Sequence, residues 1–388
     1  MNFEQETFSL VKAGTLGFIL FSRPKIAYLY YSNRRVNLLN GKSESYSFEE
    51  LNQMLSTLDL KKKIEKRILH FYYEWGVLLK GLPVSNESPL LIDLEYSDRR
   101  AFSLSELGPS TAITLTFARA LSEKNYEKEF NKVQTELLDG NCYQVNLTHK
   151  FSYHFKTENF LSFFKIWSDP AKRGAFAHAT NLPGFSKLII SNTPECLWKM
   201  EKDKISTYPI KGTVKIEGGN KHEAEKILLA SEKDRGELNM ITDLMRNDLA
   251  YLSGGISYVL KDRVVLEVPG LLHCYSHVMT KSPVKLSLFK LMEALFPGGS
   301  ITGAPKKRVM KIIYDLENHP RGIYCGSTVV LDGNIKAASL NIRTGVVRTQ
   351  EKMFYYGAGG GVTLLSKKQD EYQEILSKIT SFIQLLAQ

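Results

Sequence analysis

A lysine in an apolar stretch is the first residue of this sequence that could do chemistry. Lys211 follows Tyr208-Pro209-Ile210 and precedes Gly212-Thr213. Burial or a neighbouring cation would lower its pKa and make the amine a nucleophile. Taken alone, a strand-edge lysine that keeps its head in solvent is the commoner arrangement. Glu195, in Asn192-Thr193-Pro194-Glu195, becomes a proton donor if its surroundings raise its pKa, and is a turn carboxylate otherwise.

Paired carboxylates form a second group. Asp234 and Glu237 lie three residues apart and share a helix face, as do Glu371, Glu374 and Lys378 near the C-terminus. Two such helices facing each other could supply oxygen ligands to Mg²⁺, whose octahedral shell commonly combines one or two carboxylates with water and substrate oxygens. Either helix alone is equally a charged surface face. Two glycine-rich runs complete the set. Gly298-Gly299-Ser300-Ile301-Thr302-Gly303 leads into Ala304-Pro305-Lys306, where a helix start could bind a carboxylate or phosphate. Its glycines have P-loop spacing, but Ala304-Pro305 stands where a P-loop needs Lys-Ser/Thr, so nucleotide hydrolysis is disfavoured. The run from Gly357 to Gly361 would let backbone amides approach an anion, with Arg343 shortly before it able to grip a carboxylate bidentately. On their own, such runs are turns or flexible loops.

The elements that must position these groups read as α+β. Residues 255–280 and 329–359 are rich in β-branched residues, and Asp332-Gly333 signals a hairpin, so antiparallel pairing is expected. Helical patterns at 224–249, 286–295, 305–317 and 368–386 flank the strands instead of alternating with them. Asn125 precedes a helical stripe of Tyr126, Phe130, Val133 and Leu137, with Asp139-Gly140-Asn141 as the stop before a strand over 142–147. Residues 1–121 read as short strands and helices packed on the core, and 122–388 as the domain that carries the chemistry.

The 388 residues are 43% hydrophobic and 24% charged, which excludes disorder and a disulfide-stapled miniprotein. A net charge of +10 attracts anions, yet no zinc-finger spacing, RNP-type strand or long basic helix is present, so no nucleic-acid partner is expected. The four cysteines, Cys142, Cys196, Cys274 and Cys325, form no C-x-x-C pair and suit a reducing cytoplasm. No uncharged apolar run approaches ~18 residues and the start lacks signal-peptide features, so neither a membrane nor export is expected.

Taken in order, eight stretches within residues 122–388 resemble the chorismate-utilising enzymes, most closely the branch that forms 4-amino-4-deoxychorismate. They are 143–147, 209–213, 237–248, 296–305, 324–327, 342–344, 357–361 and 371–378. The resemblance implies a four-layer α+β sandwich, two large antiparallel sheets with helices outside, holding Mg²⁺ and chorismate between them. It places Glu237 and Glu374 on the metal, with Asp234 and Glu371 close by. Arg343, Tyr324 and the Gly359 and Gly360 amides would hold the substrate carboxylates, with Thr302, His277 and Lys378 lining the site.

Two positions sort the chemistry within that family. Hydroxylating members resemble one another in having a lysine base where this chain has Gln144, so water attack is disfavoured. Anthranilate-forming members usually have alanine where this chain has Lys211, which points to 4-amino-4-deoxychorismate, a precursor of p-aminobenzoate and folate. Lys211 would attack C2 while Glu195 protonates the departing C4 hydroxyl, and ammonia would then attack C4 and expel the lysine. The chain contains neither a glutaminase domain nor a lyase extension, so ammonia is expected from a separate glutamine amidotransferase subunit. Two features depart from the family pattern. Val214-Lys215-Ile216-Glu217 replaces an arginine-rich turn, and the N-terminal region lacks the tryptophan-binding signature of feedback-inhibited anthranilate synthases. Anthranilate or isochorismate formation is the nearest alternative. A basic RNA-binding or scaffold protein would use the +10 charge but leave Lys211 and the paired carboxylates unexplained.

Overall fold

The computed structural model describes residues 2–14, 17–119, 122–216, 220–268 and 271–386, so Glu217 and position 121 lie outside the described residues. Every strand pairing among the described residues is antiparallel, and the ladders form one unbroken path. From one edge, Thr114–Arg119 pairs with Gln144–Lys156, followed by Met353–Val362, Thr344–Arg348, Lys187–Ser191, His178–Leu182, Phe8–Ala13 and the long strand Gly17–Tyr30. The path continues through Leu91–Phe102, Arg67–Phe71, Ser327–Asp332, Ile335–Leu340, Cys196–Glu201 and Lys204–Thr207 to Leu271–Lys281. That last strand also carries Ile210–Lys215 and Tyr258–Val268. The two expected sheets are therefore two halves of one ladder. Residues on both sides of position 121 share it, since Phe8–Ala13 pairs with His178–Leu182 and Arg67–Phe71 with Ser327–Asp332.

The ladder doubles back on itself. His178 and Thr328 sit on strands with four others between them in the ladder, yet His178 Nε2 lies 2.8 Å from Thr328 Oγ1. Pro24 marks the crossing: it has no N–H for the ladder, and the register of Gly17–Tyr30 shifts between Pro24 and Ile26, a bulge that bends the strand from one layer to the other.

A buried hydrogen-bond network ties the layers together, and its donor count fixes the tautomers. His178 Nδ1 faces the Phe176 carbonyl, which only accepts, so Nδ1 carries the proton and Nε2 accepts from Thr328. Thr328 Oγ1 also receives Asn341 Nδ2 at 3.1 Å, leaving one acceptor position for the His70 Nδ1–H at 2.9 Å. His70 Nε2 then accepts from the Thr180 hydroxyl at 2.8 Å, and Ser9 links Thr180 to Tyr96. Both histidines are neutral. Burial first, then the repulsion a protonated His178 would exert and the Lys187 charge, pull His70 well below its ordinary value, and burial brings His178 down to about 4.

Helices cover the outer faces. Glu123–Leu138 turns Tyr126, Phe130, Val133 and Leu137 into the core, as the sequence stripe predicts, but its cap is Ser122, whose hydroxyl accepts the Asn125 N–H. Lys368–Leu386 packs Ile375, Ile379 and Phe382 into the same cluster. The single helix expected over 224–249 is two, Lys221–Ala230 and Glu232–Ser253, broken at Ser231. Ser231 ends the first in an extended conformation and caps the second by accepting the Asp234 N–H at 3.2 Å. No described helix is long and apolar enough to cross a membrane.

Candidate active site

A cleft of about 560 Å³ lies between the two layers, and most of the residues singled out by chemistry reach it. Lys211 enters from Ile210–Lys215, where the pairing with Leu271–Lys281 shifts register between Lys211 and Thr213. Gly212 makes that shift possible: its φ is +78°, and a Cβ there would meet Leu228 and Asp234. The Lys211 ammonium lies 3.3 Å from Glu237 Oε2, with both side chains largely buried. Glu195, just before Cys196–Glu201, accepts the Ser300 hydroxyl at 2.5 Å from the glycine-rich turn. Burial raises the Glu195 carboxyl above the usual carboxylate range, and the Ser300 hydroxyl and Lys211 charge pull it only partly back. Both effects place this carboxyl beside Lys211 in the cleft lining.

The break at Ser231 puts Asp234 and Glu237 at the exposed start of Glu232–Ser253, facing the cleft, and Glu371 and Glu374 reach it from Lys368–Leu386. Lysines partner three of the four. Besides Lys211 with Glu237, Lys233 holds Glu371 at 2.8 Å and Lys378 holds Glu374 at 2.7 Å. Asp234 has no ion-pair partner among the described residues. Burial pushes the Glu374 carboxyl up, but the Lys378, Lys233 and Lys211 charges outweigh it and hold that carboxyl below its ordinary value. No group of three or more His, Cys, Asp or Glu side chains among the described residues is gathered as a metal cage. Instead, ammonium groups stand against the carboxylates where a divalent cation's charge would be accommodated, and the all-oxygen donor set is of the kind Mg²⁺ takes.

The opposite wall is suited to anions. Arg343, at φ +49°, projects into the cleft, exposed and without an ion pair among the described residues, while its carbonyl accepts the Asn192 N–H. Tyr324 packs directly on Gly357, where any Cβ would collide with its ring. Lys378 also donates to the Gly359 carbonyl at 2.7 Å. The two glycine amides differ. The Thr148 N–H turns away from its partner strand to Glu317, so the Thr148 and Gly359 pair is a non-hydrogen-bonded one and Gly359 presents its N–H to the cleft side. Gly360, opposite Leu147, has its N–H in the ladder.

Three of the residues implied by the resemblance lie off the lining of this cleft. The Thr302 hydroxyl is buried and donates to the Gly298 carbonyl at 2.8 Å, closing the turn that aims Ser300. His277 stacks on Tyr208 at 4.5 Å and bonds Ser206 at 2.9 Å. His273, four residues earlier on the same strand face, lines the cleft instead and bonds Thr213 at 2.9 Å. Gln144 lies behind the lining, buried, with both amide atoms unpartnered, in the space a side chain at Gly361 would fill. Lys233, Ser300 and His273 are site residues that sequence reasoning missed. Lys233 reads as one more charge on a helix, and its only signal is the four-residue spacing to Glu237.

The chain is similar in sequence and in fold to known proteins. The family described as chorismate binding enzyme matches residues 82–384. Aminodeoxychorismate synthase component 1 of Klebsiella aerogenes is 34% identical over 325 residues, covering 81% of this chain and 69% of that one. The protein of the same name from Escherichia coli K12 is 33% identical over 322 residues, with the same coverage. Among solved structures, anthranilate synthase component I from Streptococcus pneumoniae superimposes with a TM-score of 0.80 at 20% identity, covering 96% of this chain and 93% of that one.

Proposed function

From the premise that this chain belongs to the chorismate-binding enzyme family, we propose that it converts chorismate to 4-amino-4-deoxychorismate, using ammonia from a separate glutamine amidotransferase subunit. The observation that carries this reading is the meeting of Lys211 and the buried Glu195 in one cleft with Arg343 opposite. The 33–34% identity to proteins named aminodeoxychorismate synthase component 1 supports it.

Arg343 and the Gly359 N–H bind the substrate carboxylates, and Tyr324 walls the far side of the ring. Lys211 leaves its ion pair with Glu237, gives up a proton to solvent and attacks C2. Both ring double bonds shift, the C4–O bond breaks, and Glu195 transfers its proton to the departing C4 hydroxyl, which leaves as water. Ammonia then attacks C4, the electron shift reverses, the bond between C2 and the lysine nitrogen breaks, and the Glu195 carboxylate takes the surplus proton. Glu237 and Glu374 would hold Mg²⁺, with Asp234 and Glu371 beside them. When bound there, the ion would supply charge neutralisation for a substrate carboxylate.

Mass spectrometry of the protein incubated with chorismate and Mg²⁺ but no ammonia tests the covalent step. An adduct that maps to Lys211 and is absent in Lys211→Ala is the expected result. Adduct-free enzyme that turns over rapidly once ammonium is added would overturn it.

A further inference from the structure

A second cavity, of about 290 Å³, lies behind Tyr324. Tyr324, Tyr356 and Gly357 line both spaces, and the Tyr324 ring packed on the Gly357 backbone forms the partition. The cavity holds an excess of cations that the protein leaves unneutralised. Lys187 is 6% exposed, and its ammonium has only the Tyr72 hydroxyl at 3.3 Å and the face of the same ring at 5.8 Å. Lys150 lies 4.6 Å from the centre of the Tyr355 ring, and Arg348 stands at the end of its strand; neither these two nor Lys187 forms an ion pair among the described residues.

The acidic groups of the cavity do not balance them. Glu87 is committed to Arg34 at 2.6 Å. Burial raises the Glu74 carboxyl above its ordinary range, against the Gly322 N–H that it accepts. Glu351 is exposed at the rim, beside the Tyr355 hydroxyl at 3.4 Å. Arg321 is spent on Glu317, and His149 and His319 are both pulled down by burial. An ammonium kept from water without an anion is costly. Burial and the Arg348 charge outweigh the opposing charge of the exposed Glu351 and lower the Lys187 pKa to about 7, a strain that a bound anion would relieve.

We propose that this cavity binds a small aromatic carboxylate, its carboxylate between Lys187 and Arg348 and its ring against Tyr72, Tyr355 and Tyr356. The volume, at the small end of ligand pockets, limits the ligand to one ring. The site does not depend on the reaction in the neighbouring cleft, so it can fail while that reading stands.

Calorimetric titration of the full chain with benzoate, and with benzamide as the uncharged probe, tests it. Saturable one-to-one binding of benzoate at millimolar concentration and none of benzamide are expected. Lys187→Met and Arg348→Met should each weaken benzoate by about tenfold or more, and Arg343→Met in the catalytic cleft should leave it unchanged. If Lys187→Met fails to fold, Arg348→Met on its half-buried strand end carries the comparison. Absence of saturable benzoate binding, equal binding of benzamide, or a loss confined to Arg343→Met would overturn the proposal.

Discussion

Glu237 stands between two tasks, because its carboxylate is 3.3 Å from the Lys211 ammonium and is also one of the two proposed to hold Mg²⁺. Under that reading, Glu237→Gln removes a ligand charge from an open cleft and leaves the core untouched. Mg²⁺ affinity measured by calorimetry should fall by about tenfold or more, with little change in melting temperature. Unchanged affinity would remove Glu237 from the metal site. At this scale the sequence was legible wherever spacing within one helix carried the information, as for Asp234 with Glu237 and Glu371 with Glu374. It was not legible where the partner is remote: Lys233 finds Glu371 138 residues away, and Ser300 finds Glu195 105 residues away. His273 and His277 share a strand face by the period of two, so alternation could not choose between them. The course of that strand past the cleft does.

Ser231 is the element that aims the acidic helix. An unbroken helical pattern over 224–249 hides it, since serine is tolerated inside helices and nothing in the spacing demands a break. The break supplies a cap and turns the first helical turn of Glu232–Ser253 toward the cleft. Ser231→Ala should lower stability by about 1 kcal/mol in chemical denaturation and weaken Mg²⁺ binding as well, whereas Ser231→Thr should keep most of both. A Ser231→Ala protein with wild-type stability and affinity would show that the cap does not position Asp234 and Glu237. The strands were easier to anticipate than their extents. The hairpin at Asp332-Gly333 follows from local turn chemistry, with Gly333 at φ +61°. Gln144–Lys156, however, runs well past the short strand read over 142–147, because its pairing with Met353–Val362 is set by tertiary contact.

At the scale of the whole molecule, one doubled antiparallel ladder brings Lys211, near one end, against Gly359, near the other. The seam between its halves is polar, and no sequence pattern announces it: His70 is a single histidine on an apolar strand, and His178 opens a strand of mixed polarity. Because both are held neutral, the folded state refuses protons that the unfolded chain accepts near pH 6.5. Stability is therefore full above that pH and falls as pH drops below it, for His178 by up to about 1.4 kcal/mol per pH unit down to about 4. Thermal unfolding of His178→Gln should show a flatter pH dependence across that window than the wild type, and parallel profiles would mean that His178 does not titrate with unfolding. Amination of chorismate at C4 in the cleft between these layers is checked by incubating the pure chain with chorismate, Mg²⁺ and an ammonium salt and identifying the product by mass spectrometry and chromatography. The expected product is 4-amino-4-deoxychorismate, lost in Lys211→Ala. Anthranilate or isochorismate as the product, or an unchanged product and rate in Lys211→Ala, would contradict it.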